Sequence, residues 1–426
     1  MENMTTTSES LSEEASREKR NTSSRKIAYL IPEFPGQTHS FFWREIIEIN
    51  RLGVSPTLFS TRRPKSTLVS HDWAKQAMAD CCYLWPPSAA NFAIDVVRAL
   101  SSRKTKRLIN RSEQSSQKAK ARLLTYSALG LALGRQMRRR SIDHLHVHSC
   151  GDAAYIARFT HLWHGITYSL TLHNPLATFG PDQPLKWEAA SFAIVITATL
   201  RREVLDKLKE YAPADMTVAP MGVDVDKWKR PEPYDPWRGE GPLRIFSCGR
   251  LNPAKGVLTL LQAVSSVRRE IPEVHLVIAG EDDAGGTGFR REVEAVIREN
   301  HLEDHVTLLG AVNEETVRNE LAEAHLFTLA SRAEPLGVVF MEAMCMQVPT
   351  IGTNAGGVPE LIDHEVTGWL VPPDDSAALS RAIIEVVSNA SLCERLSTTS
   401  RSVVEQRFSS RRSAIAVDSA LGRIKK

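Results

Sequence analysis

Apolar residues in this chain fall in short unbroken blocks. Residues 26–31 (KIAYLI), 168–172 (YSLTL), 191–199, 216–220, 243–248 (LRIFSC), 275–280, 306–310, 324–330 and 348–352 each read as a strand buried on both faces, the pattern of a parallel sheet. Between them lie stretches with helical periodicity, among them 41–53 and 257–269. Strands alternating with helices predict a doubly wound α/β architecture. The blocks form two sets, separated by a segment over 226–241 rich in Pro, Trp and charge. The pattern thus predicts a first Rossmann-like domain over 25–225, a linker over 226–241, a second domain over 242–404 and a closing helix over 405–426. Residues 1–24 have no apolar h-region and many acidic residues, so they read as a disordered tail and not as a secretory signal.

Composition narrows the class. The chain has 426 residues, 42% of them apolar, which is ample for two cores. A net charge of +3 gives no basic field of the nucleic-acid-binding kind, so no nucleic-acid partner is expected. The six cysteines, Cys81, Cys82, Cys150, Cys248, Cys345 and Cys393, form no C-x2-C pair and read as reduced thiols of a cytoplasmic protein. No apolar run reaches the ~18 residues of a spanning helix. Residues 103–122 carry eight Lys or Arg against one acid, Glu113, and the apolar stretch 123–134 is followed by RQMRRR. Such a segment fits an anionic membrane surface, and it equally fits a solvated helix face.

The densest chemistry lies at 331–360, SRAEPLGVVFMEAMCMQVPTIGTNAGGVPE. Glu334 follows a strand, where open α/β sheets bind ligands. Pro335 ends that strand, and a short helix is predicted over 337–346. Its N-terminus, at Leu336 and Gly337, offers backbone N–H groups to an anion, with Gly337 allowing close approach. Glu342 lies about two turns into the helix, where a carboxylate can accept bonds from sugar hydroxyls. Two such glutamates alone read as solvated helix-end charges. Upstream, GRLNPAKG at 249–256 joins a strand to a helix, with Arg250 and Lys255 between glycines; a guanidinium fork and a point charge suit a diphosphate. Gly36 sits in a strand–loop–helix opening that lacks the G-x-G-x-x-G spacing. His144, His146 and His148 alternate on one strand face and invite a zinc site, but no Cys or carboxylate with ligand spacing accompanies them. His173 stands just past a strand end, in the expected crevice. GGTG at 285–288 reads as an exposed turn.

EPLGVVFMEAM followed by VPTIGTNAGGVPELI resembles the signature of glycosyltransferase family 4, the retaining enzymes of GT-B fold, and the likeness extends over roughly 26–408. The resemblance implies two Rossmann-like domains facing across a cleft, with a last helix crossing back onto the first domain. It implies a nucleotide-diphosphate sugar donor, UDP- or GDP-linked, in the second domain and a glycan or lipid-linked acceptor in the first, for surface glycan synthesis on the cytoplasmic face of a membrane. Within it Gly36 would face the donor phosphates, and Arg250, Lys255 and the helix start at Leu336-Gly337 would hold the diphosphate. Glu342 would bind ribose hydroxyls. Glu334 and His173 would contact the transferred sugar as the catalytic pair. Asn174 departs from the acidic residue that many members carry there. No cofactor and no metal are expected beyond the co-substrate, since the one D-x-D triplet, Asp224-Val225-Asp226, falls at the linker turn. Two other classes remain open. Nucleotide-sugar 2-epimerases share the architecture but lack this form of the glutamate segment. A donor-binding protein without activity is argued against by the joint presence of Arg250, Lys255, Glu334 and Glu342.

Overall fold

The computed structural model describes residues 26–36, 38–64, 71–283 and 285–424; the tail expected over 1–24 lies outside them. Among the described residues thirteen strands form two sheets in which every pairing is parallel. The first has the order β3-β2-β1-β4-β5-β6-β7, with β1 Ile27–Ile31, β2 Thr57–Arg62, β3 Cys82–Trp85, β4 His144–Val147, β5 Thr167–Leu172, β6 Ala193–Val195 and β7 Met216–Val218. The second has the order β10-β9-β8-β11-β12-β13, with β8 Leu243–Cys248, β9 Val274–Ala279, β10 Val306–Gly310, β11 Leu326–Thr328, β12 Thr350–Thr353 and β13 Trp369–Val371. The expected fold, two Rossmann-like α/β sheets, is the one found. All five residues of β1 are buried, as helices cover both faces of a parallel sheet.

Strand order reverses at β1, which pairs with β2 on one side and β4 on the other, and at β8, which pairs with β9 and β11. These are the switch points where such sheets open a crevice. The loops that leave β1, β5, β8 and β11 line one shared cavity, so the carboxyl ends of the two sheets face each other.

The apolar stretch 123–134 belongs to a longer element than its sequence suggests. It is the middle of a helix, Gln117–Arg139, that starts at Ser116, whose hydroxyl accepts from the Ala119 N–H at 3.2 Å. Leu123, Leu129, Leu133 and Met137 are buried, so these apolar side chains are core and cannot meet a membrane. At 285–288 the turn is organised by Asp282. Its carboxylate accepts from the N–H groups of Gly286, Gly288 and Arg290, each at 2.9 Å, and thereby fills the N-terminus of the helix Phe289–Glu299 with its own anion.

The chain then ties the two halves together. Val223 bridges Ser409 as the last helix begins. That helix, Ser410–Arg423, packs on the helix Ser40–Arg51 of the first domain. Ser413 donates to Glu45 at 2.7 Å, and Arg423 grips both oxygens of Asp215 at 2.8 and 2.9 Å. Arg401 reaches from the preceding helix to the carbonyls of Cys345, Trp228 at 3.0 Å and Val225 at 3.3 Å.

The turn after β8 depends on Gly256. It has φ +63°, and a Cβ there would lie 1.8 Å from the carbonyl oxygen of Ala330, just beyond β11. Gly256→Ala adds left-handed strain of about 1–2 kcal/mol and an overlap costing about 1–3 kcal/mol. We expect an unfolding free energy lower by roughly 2–5 kcal/mol, read from the denaturant midpoint; a midpoint equal to the parent's contradicts this account of the turn.

Candidate active site

Between the sheets lies a cavity of ≈ 310 Å³. Its second-domain wall is built on the turn at Gly356-Gly357. The Gly357 N–H donates to the Glu334 carbonyl at 2.8 Å. A Cβ at Gly357 would stand 1.9 Å from the Pro335 oxygen. Only a residue without a side chain lets this turn seat on the backbone of Glu334 and Pro335, and the seating fixes where Glu334 points. Glu334 is buried. Its carboxylate is ion-paired with Lys255 and accepts from the Ser331 hydroxyl at 3.3 Å. The two charges that sequence reading assigned separately, one to sugar and one to phosphate, therefore touch. Gly337, at φ 87°, caps the helix Val338–Cys345, and Leu336 and Gly337 line the cavity. Arg250 stands at the mouth, half exposed, 3.4 Å from Asp283.

Glu342 is equally buried and meets a cation from the other domain. Arg44, on the helix Ser40–Arg51, places Nη2 2.6 Å from its Oε1. Burial lifts the Glu342 pKa; Arg44 opposes this and Glu314 adds to it, leaving the carboxyl above its ordinary value. Glu314 also pairs with Arg44, and with Lys227 at 2.6 Å. Burial lifts Glu314 too, but its two cations outweigh that and bring it down to about 2.

The first-domain wall is aromatic. His173 packs against Phe42, Phe41 and His148, with ring centroids 5.2, 5.5 and 5.7 Å away. Burial, with His148 and His39 adding to it, pushes its pKa well below that of free histidine, so the imidazole is neutral at physiological pH. Its Nε2 is buried without a hydrogen bond among the described residues. Behind it, His148 Nε2 lies 3.2 Å from Glu45. Burial raises the Glu45 pKa, yet His148, Ser413 and Tyr29 together bring it below the ordinary carboxylate value.

Two of the three alternating histidines form a hydroxyl ladder with β5. His144 bonds Thr167 and Ser169, each at 2.8 Å, and His146 bonds Ser169 at 2.7 Å and Thr171 at 2.9 Å. A carboxylate does stand beside them, contrary to the reading from spacing. Glu45 arrives from another element, and ligand atoms of Glu45, His146 and His148 lie within 4.8 Å of one another. His146 already spends both ring nitrogens on hydroxyls, so these residues do not present three free donors.

Arg250, Lys255, Glu334, Leu336, Gly337, Glu342 and His173 thus surround one cavity, whereas Gly36 does not line it. The Gly36 N–H instead donates to His39 Nδ1 at 2.9 Å, which closes the loop on itself. Thr38 and Ser40 take its place on the wall. Burial, helped by His71, Arg250 and His148, lowers His39 to about 3, consistent with an unprotonated acceptor. Sequence reading missed Arg44 and Glu314. The available signal was the pair Arg44-Glu45 inside the apolar face of FFWREII, where an unpartnered charge would be out of place.

Both halves of the chain resemble known proteins. Residues 235–403 match the family model of glycosyl transferases group 1, and residues 89–227 match that of glycosyltransferase family 4. The amylovoran biosynthesis glycosyltransferase AmsK of Erwinia amylovora is 30% identical over 39% of this chain and 41% of its own length. A GDP-mannose-dependent alpha-(1-6)-phosphatidylinositol monomannoside mannosyltransferase of Mycobacterium tuberculosis is 32% identical over 41% of this chain and 47% of its own. The matches thus span less than half of these relatives. Among solved structures, Anabaena Alr3699/HepE in complex with UDP and glucose superposes with a TM-score of 0.72 at 17% identity, covering 94% of this chain and 100% of that one. Sucrose-phosphate synthase from Thermosynechococcus elongatus does so with 0.69 at 18% identity, covering 93% and 98%.

Proposed function

We propose that this chain, which belongs to glycosyltransferase family 4, moves a glycosyl group from a UDP- or GDP-linked sugar to a glycan or lipid-linked acceptor in surface polysaccharide synthesis, with retention of anomeric configuration. One observation carries the reading: Lys255 and Glu334 are in contact on the wall of a cavity between the sheets, flanked by Arg250 and Glu342. A leaving diphosphate needs fixed positive charge, and a sugar losing it develops positive character at the anomeric carbon. As donor enters, Lys255 turns from Glu334 to the diphosphate, joined by Arg250 and the helix N-terminus at Gly337. Glu334, released from its cation, faces the sugar and stabilises the developing charge. Glu342 accepts from the ribose hydroxyls. A neutral His173 on the opposite wall offers its unpaired Nε2 to the sugar without repelling that charge. The two cations and the helix N-terminus supply the positive charge that a metal provides elsewhere. AmsK, by its name, serves amylovoran biosynthesis, and the mycobacterial relative is named for GDP-mannose; both fit a surface-glycan role.

We further propose that the protein acts on the cytoplasmic face of a membrane. No helix of the described residues is long and apolar enough to cross one. The helix Ala89–Ser101 exposes Ile94, Val97 and Leu100, with Trp85 exposed beside it, and Arg103, Lys104, Lys106 and Arg107 are exposed on the next helix. Apolar side chains flanked by cations suit an anionic lipid surface.

Two experiments test these readings. Arg250→Ala and Lys255→Ala each lose a charge-assisted contact of roughly 1.5–3 kcal/mol, so affinity for UDP or GDP should fall about tenfold or more while affinity for the bare nucleoside changes little. Glu334→Gln should keep nucleotide affinity and lower kcat strongly. Equal losses for nucleoside and diphosphate, or parent-like turnover by Glu334→Gln, contradict the assignments. For the membrane, the protein should co-sediment with anionic vesicles, leave them at high salt, and lose binding in Val97→Asp; equal sedimentation with neutral vesicles, or none, contradicts it.

A further inference from the structure

Arg44 belongs to the first domain by sequence and to the second by contact. Its guanidinium reaches Glu342 at 2.6 Å, pairs with Glu314, and lies 5.3 Å from the centre of the buried Trp228 ring. Lys227 anchors Glu314 from the far side at 2.6 Å. Arg44 lines the cavity, its side chain is only 7% exposed, and its Nη1 is buried without a hydrogen bond among the described residues. As glue between domains this is a poor arrangement. An apolar contact of similar volume would hold two domains as well or better, and a buried guanidinium N–H without a partner is costly. What the arrangement does achieve is a cation set against a carboxylate, holding it in one orientation, in a place where burial and the neighbouring Glu314 both oppose its charge.

We propose that Arg44 is a positioning residue for the donor: reaching across the cleft, it keeps Glu342 charged and oriented, so that the ribose-binding carboxylate of the second domain is complete only when the first domain closes on it. This rests on the reading of Glu342 as the ribose ligand. The donor then binds best to the closed molecule, and its binding favours closure by the same differential affinity. Without the cation, Glu342 faces Glu314, the thiols of Cys248 and Cys345, and Lys227. Its carboxyl then binds a proton more readily, and the protonated acid is a weaker acceptor for two ribose hydroxyls. The charged form is lost as pH falls, so the defect should be worst in mild acid.

The test compares UDP and GDP with their 2′,3′-dideoxy counterparts. The ratio of the two dissociation constants isolates the ribose contacts and cancels titration of the diphosphate itself. In the parent the dideoxy nucleotide should bind about tenfold or more weakly, the value of one charge-assisted bond, at both pH 6 and pH 8.5. In Glu342→Ala the ratio should fall to near one at both. In Arg44→Met it should be near one at pH 6 and recover in part at pH 8.5, while Arg44→Lys should restore much of the parent ratio. Arg44→Gln, neutral but still a donor, should show the same pH-dependent loss and covers a Met variant that does not fold. A parent-like ratio in Glu342→Ala overturns the ribose reading and the proposal with it. A ratio lost in Glu342→Ala but parent-like in Arg44→Met and Arg44→Gln overturns the proposal alone. A loss in the Arg44 variants that is the same at both pH values also overturns it, since that is the signature of a merely structural role.

Discussion

A carboxylate shut away from water needs a cation within reach, and the cleft of this molecule holds two such carboxylates. Each is served differently. Glu334 takes Lys255 from its own domain, across a single strand–turn–helix unit. Glu342 takes Arg44 from the opposite domain. Removing one partner from a buried pair leaves an uncompensated charge, typically a loss of about 3–5 kcal/mol, so neither side can drift without the other. The rest of the architecture keeps these partners in register. The Gly356-Gly357 turn sets the backbone of Glu334, the Gly256 turn presses the Lys255 loop against the end of β11, and the last helix clamps the helix that carries Arg44.

A second set of contacts reaches between the domains away from the cavity. Glu360, two residues past the Gly357-Val358 step, accepts from the N–H groups of Ala198 and Thr199 at 2.6 and 2.8 Å. The anion thus caps the helix Ala198–Leu208 of the first domain. The segment that shapes the donor pocket on one side therefore grips the acceptor domain with its other end. The same link between pocket and domain interface recurs at Glu45. Its carboxylate joins Ser413 of the crossing helix to His148, whose ring stacks on His173 at the cavity wall.

Strands buried on both faces made most of the two sheets readable, because a parallel sheet leaves an unbroken apolar block with no alternation to misplace; β2, β3 and β13, partly exposed at or next to the sheet edges, left no such block. The second-domain site was readable for a related reason. Arg250, Lys255 and Glu334 sit in loops fixed by nearby glycines and prolines, and Glu342 sits on the short helix that follows, so their placement is a local matter. Contacts made over long separations left no such trace. Arg44 and Glu342 stand 298 residues apart, and Ser413 and Glu45 stand 368 apart; no periodicity connects them. The helix Gln117–Arg139 was hidden because its buried stripe is edged with Lys and Arg, which blurs the apolar period. The alternating histidines invited a ligand reading because the hydroxyl partners of His144 and His146 lie on a neighbouring strand. Gly36 stands off the cavity because its loop closes on His39, a side-chain contact that the glycine itself does not announce.

The central claim is that the cleft holds a nucleotide diphosphate with its phosphates on Lys255 and Arg250 and its ribose on Glu342. A crystal structure of the protein with UDP or GDP tests it most directly. The account predicts diphosphate oxygens within hydrogen-bond distance of Lys255 Nζ and the Arg250 guanidinium, Glu334 turned away from Lys255, and both ribose hydroxyls on the Glu342 carboxylate with Arg44 still behind it. A diphosphate bound elsewhere, or a ribose facing away from Glu342 while Lys255 keeps its pair with Glu334, would contradict it.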